Sequence, residues 1–139
     1  MSTLEHRHDR NNDELDPIEA MSVLNTTTRK NIIGVIVGHP TSMPSKKELT
    51  YYLPEIPDST ISSNLSVLED AGIIASASHE RIDLERGEPY RFFRLTDAAR
   101  KLFDRNDLFE EAAYKNLIEQ TEKTDQIREA ESASRPDFN

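Results

Sequence analysis

The sequence predicts a mostly α-helical fold with one small β-hairpin, an α+β class, on three observations. Signals that start helices, each a capping residue followed by an apolar stripe, recur through the middle of the chain. A strand-like segment that begins at Ile73 is joined by a polar turn at 80–89 to an aromatic-rich segment at 90–95. Two short helices directly precede that hairpin. This order of elements is typical of a winged helix-turn-helix.

Length and composition indicate one domain inside the cell. The chain has 139 residues, which suits a single modest core, and no apolar run approaches the roughly 20 residues of a membrane span. The first residues lack the apolar region of a signal peptide, so we expect a cytoplasmic protein without a membrane partner. Cysteine is absent and the four histidines are not spaced as metal ligands, so no metal, cofactor or thiol redox sensor is expected.

The charge of the chain leaves two interpretations open. The formal net charge is −9, whereas a protein that binds nucleic acid usually presents a basic face. Either the chain does not bind nucleic acid, or it works in a salt-rich cytoplasm where only a local patch need be positive. The 26 acidic residues, and the excess of arginine over lysine among the 17 basic ones, resemble proteins of halophilic archaea. In such a setting, salt cations could bridge acidic groups to phosphates.

Local composition and capping residues predict the structure of the two ends of the chain and of its first helices. The charged segments 1–15 and 130–139 predict a flexible and a disordered tail around a domain at 16–129. Asp16 and Pro17 start a short helix that runs to about residue 24. One of the threonines at 26–28 can cap the next element. Its apolar run at 32–37 fits a buried helix face but also suits a strand, and periodicity does not decide between them.

Two helices at about 45–72 form the predicted helix-turn-helix. A capping box of Ser45 and Glu48 starts the first. Asp58 or Ser59 caps the second, which covers about 60–71. Its apolar residues fall on one inward stripe: Ile61, Leu65 and Leu68.

The outward face of the second helix carries hydroxyl groups and one amide. Glu or Lys would usually fill a solvated face, and serine is a mediocre helix former. Short polar side chains let a helix lie deep in a DNA major groove, where they can bond base edges or phosphates. A merely solvated face is the alternative. The predicted DNA-binding residues of this helix are Ser59, Thr60, Ser62, Ser63, Asn64 and Ser66.

Two segments of the chain resemble a known family. The sequence STISSNLSVLEDAGII, at 59–74, resembles the recognition helix and first strand of ArsR- and PadR-type winged-helix regulators. The sequence LTDAARKLF, at 95–103, resembles the helix that follows their wing. The resemblance covers about 26–104, and the whole chain is also similar to haloarchaeal regulators that respond to reactive oxygen species. It implies that 30–38 is helical and that the protein regulates transcription from a palindromic operator in double-stranded DNA.

The resemblance also implies contacts outside the recognition helix. In this family the wing at 73–95 follows the DNA backbone or enters the minor groove, and the start of the helix-turn-helix touches phosphate. A charge-balanced hairpin and simple solvation are the alternatives. Metal-sensing ArsR members carry a cysteine-rich box that 47–53 lacks, so a metal sensor is not expected. The candidate DNA contacts are Lys46, Lys47, Arg81, Arg86 and Arg91, with Arg29, Lys30 and Arg94 as further possibilities.

The last predicted helix, at 107–129 with Asn106 as its cap, carries more apolar residues than one core stripe requires. A two-fold helical interface in a homodimer accounts for them, and packing on the chain's own domain is the alternative. The predicted interface residues are Met21, Leu24, Leu108, Phe109, Ala112, Tyr114, Leu117 and Ile118.

Two other classes of function compete with a DNA-binding regulator. A winged helix that serves as a protein-interaction module, without DNA contact, would explain the acidic charge. An enzyme is not expected, because the chain has no glycine-rich phosphate loop, paired-acid motif or nucleophile context.

Overall fold

The computed structural model describes residues 15–83, 88–132 and 135–136. These residues form seven helices and one antiparallel pair of strands, and none of the helices described is long and apolar enough to cross a membrane. In chain order the elements are α1 (Pro17–Val23), α2 (Thr27–Gly38), α3 (Lys46–Tyr52), α4 (Asp58–Asp70), β1 (Ile74–Asp83), β2 (Glu88–Leu95), α5 (Asp97–Arg105), α6 (Glu111–Gln120) and α7 (Asp125–Ser132).

Helix α2 lies at the centre of the core. It includes the apolar run at 32–37, which is therefore part of a helix. Helix α2 contacts α3, α4, α6 and β2, and every residue from 32 to 38 is buried. Gly34 and Gly38 let α6 approach this helix closely. A Cβ atom at Gly38 would lie 2.5 Å from the carbonyl oxygen of Tyr114, a distance that side chains do not reach.

Most helix starts follow the predicted capping residues. Asp16 accepts a hydrogen bond from the backbone N–H of Ile18, Thr26 caps α2, and both halves of the Ser45–Glu48 capping box are present. The start of α4 differs from the prediction. The helix begins at Asp58 with Pro57 in the capping position, where the ring fixes φ at −58°, and no side chain caps the first turn by a hydrogen bond.

The hairpin is longer than predicted. Ile74 pairs with Leu95 and Asp83 with Glu88, so backbone pairing continues into the segment predicted as a turn, with an irregularity between Ser78 and Ile82. Polar side chains do not prevent pairing, because the ladder uses backbone groups. The start of α3 joins this sheet, since the N–H of Phe93 donates to the carbonyl oxygen of Pro44 at 2.9 Å.

The prediction of a single C-terminal helix at 107–129 is wrong. The structure has two helices separated by 121–124, and Asn106 ends α5 instead of starting the next helix. Asp107 and Phe109 adopt positive φ angles of 54° and 53°, which a helix excludes. Phe109 is held there by its contacts with the rings of Phe103 and Tyr114.

The predicted disordered tail at 130–139 also differs from the structure. Helix α7 continues to Ser132, and Arg135 donates hydrogen bonds to the carbonyl oxygens of Met43 and Ala130. The predicted flexible tail lies, apart from Leu15, outside the described residues.

Candidate nucleic-acid interface

Helix α4 separates its side chains into an apolar inner face and a polar outer face. Ile61, Leu65 and Leu68 are buried in the core, as predicted. The outer residues fall into two groups. Ser59, Ser63 and Ser66 are exposed, whereas Thr60, Ser62 and Asn64 are half-buried. The hydroxyl groups that sequence analysis selected therefore lie on one side of a helix anchored by its opposite side.

One residue of the outer face was missed. Val67 is 37% exposed and follows Ser63 by one helical turn. The signal was available in the sequence, because Val67 lies off the inward stripe of the helix.

Arg29 braces one flank of α4. Its Nε donates to the Oδ1 atom of Asn64 at 2.8 Å, and its Nη1 donates to the carbonyl oxygen of Val23 at 2.9 Å. The amide group of Asn64 in turn donates to the carbonyl oxygen of Thr60. Arg29 thus connects the end of α1, the start of α2 and the middle of α4. The Asn64 side chain is oriented by these bonds and keeps one N–H for another acceptor.

Arg91 braces the other flank. Its Nη2 atom donates to Glu69 Oε1 at 3.1 Å and to Ser76 Oγ at 3.0 Å, and its guanidinium lies over the ring of Phe93. The side chain remains 54% exposed. These contacts fix the direction of the hairpin relative to α4. They also partly neutralise the positive charge of Arg91, which was predicted to contact DNA.

The remaining candidate contacts are distributed unevenly. Lys46 pairs with Asp58 at 2.9 Å and so joins the starts of α3 and α4, whereas Lys47 is half-buried. Such a partly exposed ion pair contributes little to stability. Arg81 lies on β1, but its side chain, like the whole of Arg86, lies outside the described residues.

Comparison with solved structures shows a similar architecture in a haloarchaeal protein. It is a protein with a GntR-superfamily winged-helix-turn-helix domain from Halomicrobium mukohataei, with a TM-score of 0.77 and 25% sequence identity. The alignment covers 89% of this chain and 88% of that one. The fold is a winged helix-turn-helix. The predicted fold class is therefore confirmed. No protein-family model and no curated protein matches the chain.

This neighbour supports the winged-helix assignment but not a specific ArsR or PadR type. In the winged helix described here, α3 and α4 form the helix-turn-helix, α4 occupies the position of a recognition helix, and β1 and β2 form the wing.

A buried polar network supports the helix-turn-helix from behind. His39 Nε2 and Glu48 Oε2 lie 2.6 Å apart with both side chains fully buried. Glu48 Oε1 accepts from the backbone N–H of Ser45 at 2.9 Å and from Arg135 Nη2 at 2.8 Å. The N–H of Thr41 donates to His39 Nδ1, which places the imidazole proton on Nε2, facing Glu48. The sequence indicated only the capping role of Glu48.

The network fixes the ionisation of Glu48. Burial by itself would raise the pKa of this carboxyl. The hydrogen bond from His39, the Ser45 N–H and the Arg135 guanidinium outweigh that effect and hold the pKa below its usual 4.5. Glu48 is therefore ionised at neutral pH.

Glu131 of α7 extends this cluster. It accepts from the Tyr52 hydroxyl and pairs with Lys123, and burial together with Glu131 raises the pKa of Tyr52. Potential ligand atoms of His39, Glu48 and Glu131 lie within 4.8 Å of one another, a distance that a metal ion could bridge. Lys123 and Arg135 already neutralise both carboxylates, however, so the contacts describe a satisfied structural network.

The predicted interface residues divide into two groups. Leu24 and Ile118 are buried in the chain's own core, which corrects their assignment to a partner surface. Helix α6 uses this side to pack on α2. Leu108, Phe109 and Tyr114 are half-buried and pack on the same core. The residues that remain exposed are Met21, Ala112 and Leu117, together with Ile18, which sequence analysis did not select.

Proposed function

We propose that this protein is a sequence-specific DNA-binding transcription regulator whose recognition helix, α4, enters the major groove. The observation that carries the proposal is the exposed hydroxyl face of α4, formed by Ser59, Ser63 and Ser66. A buried apolar stripe anchors this helix, and side-chain contacts brace it on both flanks. A helix presented in this way can be inserted into a groove without reorganisation, which favours base readout.

The acidic chain binds DNA, in this proposal, through close contacts instead of diffuse attraction. At about 1 M salt the Debye length is roughly 3 Å, so a net charge of −9 has little long-range effect on a phosphate backbone. Lys46, Lys47 and Arg91, together with Arg81 and Arg86 of the wing, supply local positive charge. Salt cations bridge acidic groups to phosphates where no basic side chain is near.

The finer assignment rests on the sequence resemblance. We assign the chain to the ArsR- and PadR-type regulators and to a stress-responsive role in a haloarchaeal cytoplasm. Because the sequence has no cysteine, such a response must use a route other than thiol oxidation.

Replacing Ser63 with glutamate tests the proposal directly. Ser63 is exposed and its hydroxyl donates only to the carbonyl oxygen of Thr60, so the larger side chain fits without disturbing the core. A carboxylate pressed against phosphates and base edges should weaken DNA binding by about 100-fold or more. Binding is measured by fluorescence anisotropy in molar KCl, on a duplex selected from random sequences by the wild-type protein.

Ser132→Glu is the matched control. Ser132 is exposed at the end of α7, so the same chemical change there should leave DNA affinity within about twofold. If wild-type protein selects no sequence, or if Ser63→Glu binds the selected duplex as wild type does, the proposed function is wrong.

A protein-interaction module is the second candidate function. The acidic net charge favours it. So do the ion pairs of Lys46 with Asp58 and of Arg91 with Glu69, because they neutralise basic side chains that would otherwise contact DNA phosphates. Under this alternative, Ser63→Glu leaves partner binding intact and duplex DNA is not bound by either protein.

We also propose that the protein acts as a homodimer that binds two half-sites of a palindrome. Its interface would use the exposed apolar residues of α1 and α6, with Leu117 at 58% exposure as the main contact on α6. Leu117→Lys should weaken dimerisation by about tenfold or more, because it buries a charge in an apolar contact. Sedimentation equilibrium in molar KCl measures the effect. Gln126→Lys, exposed on α7, is the control and should sediment as wild type does. A monomeric wild type contradicts the proposal.

A further inference from the structure

Val67 is the apolar member of an otherwise polar helix face. Ser59, Ser63 and Ser66 precede it, and the spacings of eight, four and one residues place all four side chains on the outward half of α4. The three core residues of this helix are at most 3% exposed, whereas Val67 is 37% exposed. It is one of four large hydrophobic side chains among the described residues that remain this accessible.

The chemistry of the major groove offers one partner for such a side chain. Its edges carry hydrogen-bond donors and acceptors, and the C5-methyl group of thymine is its apolar feature. A valine side chain is short and rigid, so it can contact a methyl group at little entropic cost. Hydroxyl groups on either side can meanwhile bond the polar edges of neighbouring bases.

We propose that Val67 determines part of the operator sequence by contacting a thymine methyl group in each half-site. This inference rests on the proposed function, because it requires α4 to lie in the groove. It adds a specificity-determining residue that hydrogen bonding alone would not reveal.

Asp70 limits how far along α4 the readout extends. Its exposed carboxylate follows Val67 by three residues, near the end of the helix, and would be repelled by phosphates. The last turn of α4 must therefore tilt away from the DNA backbone. Val67 is then the last outward residue that reaches a base, so the thymine should lie at one edge of the sequence read by this helix.

Deoxyuridine substitution tests the contact, because it removes only the methyl group. On the duplex selected by the wild-type protein, each thymine is replaced singly by deoxyuridine. One position in each half-site should weaken wild-type binding by about three- to tenfold, as expected for the loss of one buried methyl contact. Val67→Ala should bind the thymine duplex correspondingly less tightly. It should show no further loss with deoxyuridine at that same position.

Ser66→Ala is the matched control, because it truncates the adjacent residue on the same face. It should retain the full sensitivity to deoxyuridine at the position assigned to Val67. If no deoxyuridine weakens wild-type binding, or if Val67→Ala remains as sensitive as wild type, the inference is wrong while DNA binding itself stands. If the wild type binds no duplex, the proposed function fails instead. Thermal melting of each variant confirms that these exposed substitutions leave the fold intact.

Discussion

Glu48→Ala should destabilise the protein by roughly 3–5 kcal/mol, the usual cost of removing one partner from a buried ionic network. Truncation leaves the His39 Nε2–H, the Ser45 N–H and the Arg135 guanidinium facing an empty buried space. It also removes half of the capping box that starts α3. Urea denaturation of both proteins at pH 7 gives the difference. An unchanged unfolding midpoint would show that the network does not form.

Glu48→Gln separates charge from shape at the same position. The pKa of Glu48 is lower in the folded protein than the ordinary 4.5, so ionisation of this group stabilises the fold above about pH 4.5. This contribution disappears as the pH falls through the lower pKa of the folded state. Glu48→Gln lacks it at every pH. The gap in stability between wild type and variant should therefore be constant at neutral pH and narrow below pH 4.5.

Gly38→Ala should cost about 3 kcal/mol, the upper part of the usual range for overpacking. The added Cβ would lie 2.5 Å from the carbonyl oxygen and 2.8 Å from the carbonyl carbon of Tyr114. Backbone atoms cannot rotate away, so α6 must shift as a unit from α2. Chemical denaturation measures the loss. Because α6 also carries Leu117, weaker self-association is expected as well.

Gly34→Ala is the comparison within the same helix. Here the nearest atoms belong to the ring of Tyr114, at 2.7 and 3.0 Å, and a side chain can adjust where a backbone cannot. Alanine also gains about 1 kcal/mol in helix propensity at Gly34, which lies inside α2, whereas Gly38 is the last residue of the helix. Gly34→Ala should therefore be clearly less damaging than Gly38→Ala. Equal losses would show that propensity or a general strain of α2, not contact with the α6 backbone, governs both.

Features with local causes were predictable from the sequence. The helix starts at Asp16, Thr26 and Ser45 follow from side chains that bond the backbone two or three residues away. The inward stripe of α4 follows from helical periodicity, and its polar outer face was found as the complement of that stripe. Periodicity did not assign the run at 32–37, but the family resemblance implied a helix there, and the run is helical in the structure.

Features with long-range causes were not predictable. The break at 121–124 lets α7 turn back onto α3, where the Tyr52 hydroxyl donates to Glu131, 79 positions away, so the local sequence did not indicate it. Ile118 looked available to a partner because the sequence does not reveal that α6 presses this side against two glycines of α2.

The candidate site shows the same division. The exposed serines of α4 were recognised by type and spacing. The braces at Arg29 and Arg91 were not, because they join residues 35 and 22 positions apart. Arg91 was consequently predicted to contact DNA without the acidic partner, Glu69, that the structure gives it.

The contact of Arg135 with Glu48 also has a kinetic consequence. It joins residues 87 positions apart, and closing so long a loop is entropically unfavourable until the intervening helices have assembled. We therefore expect the bond to form late in folding, after the rate-limiting step. Interactions of this kind lengthen the lifetime of the native state while leaving the speed of folding almost unchanged.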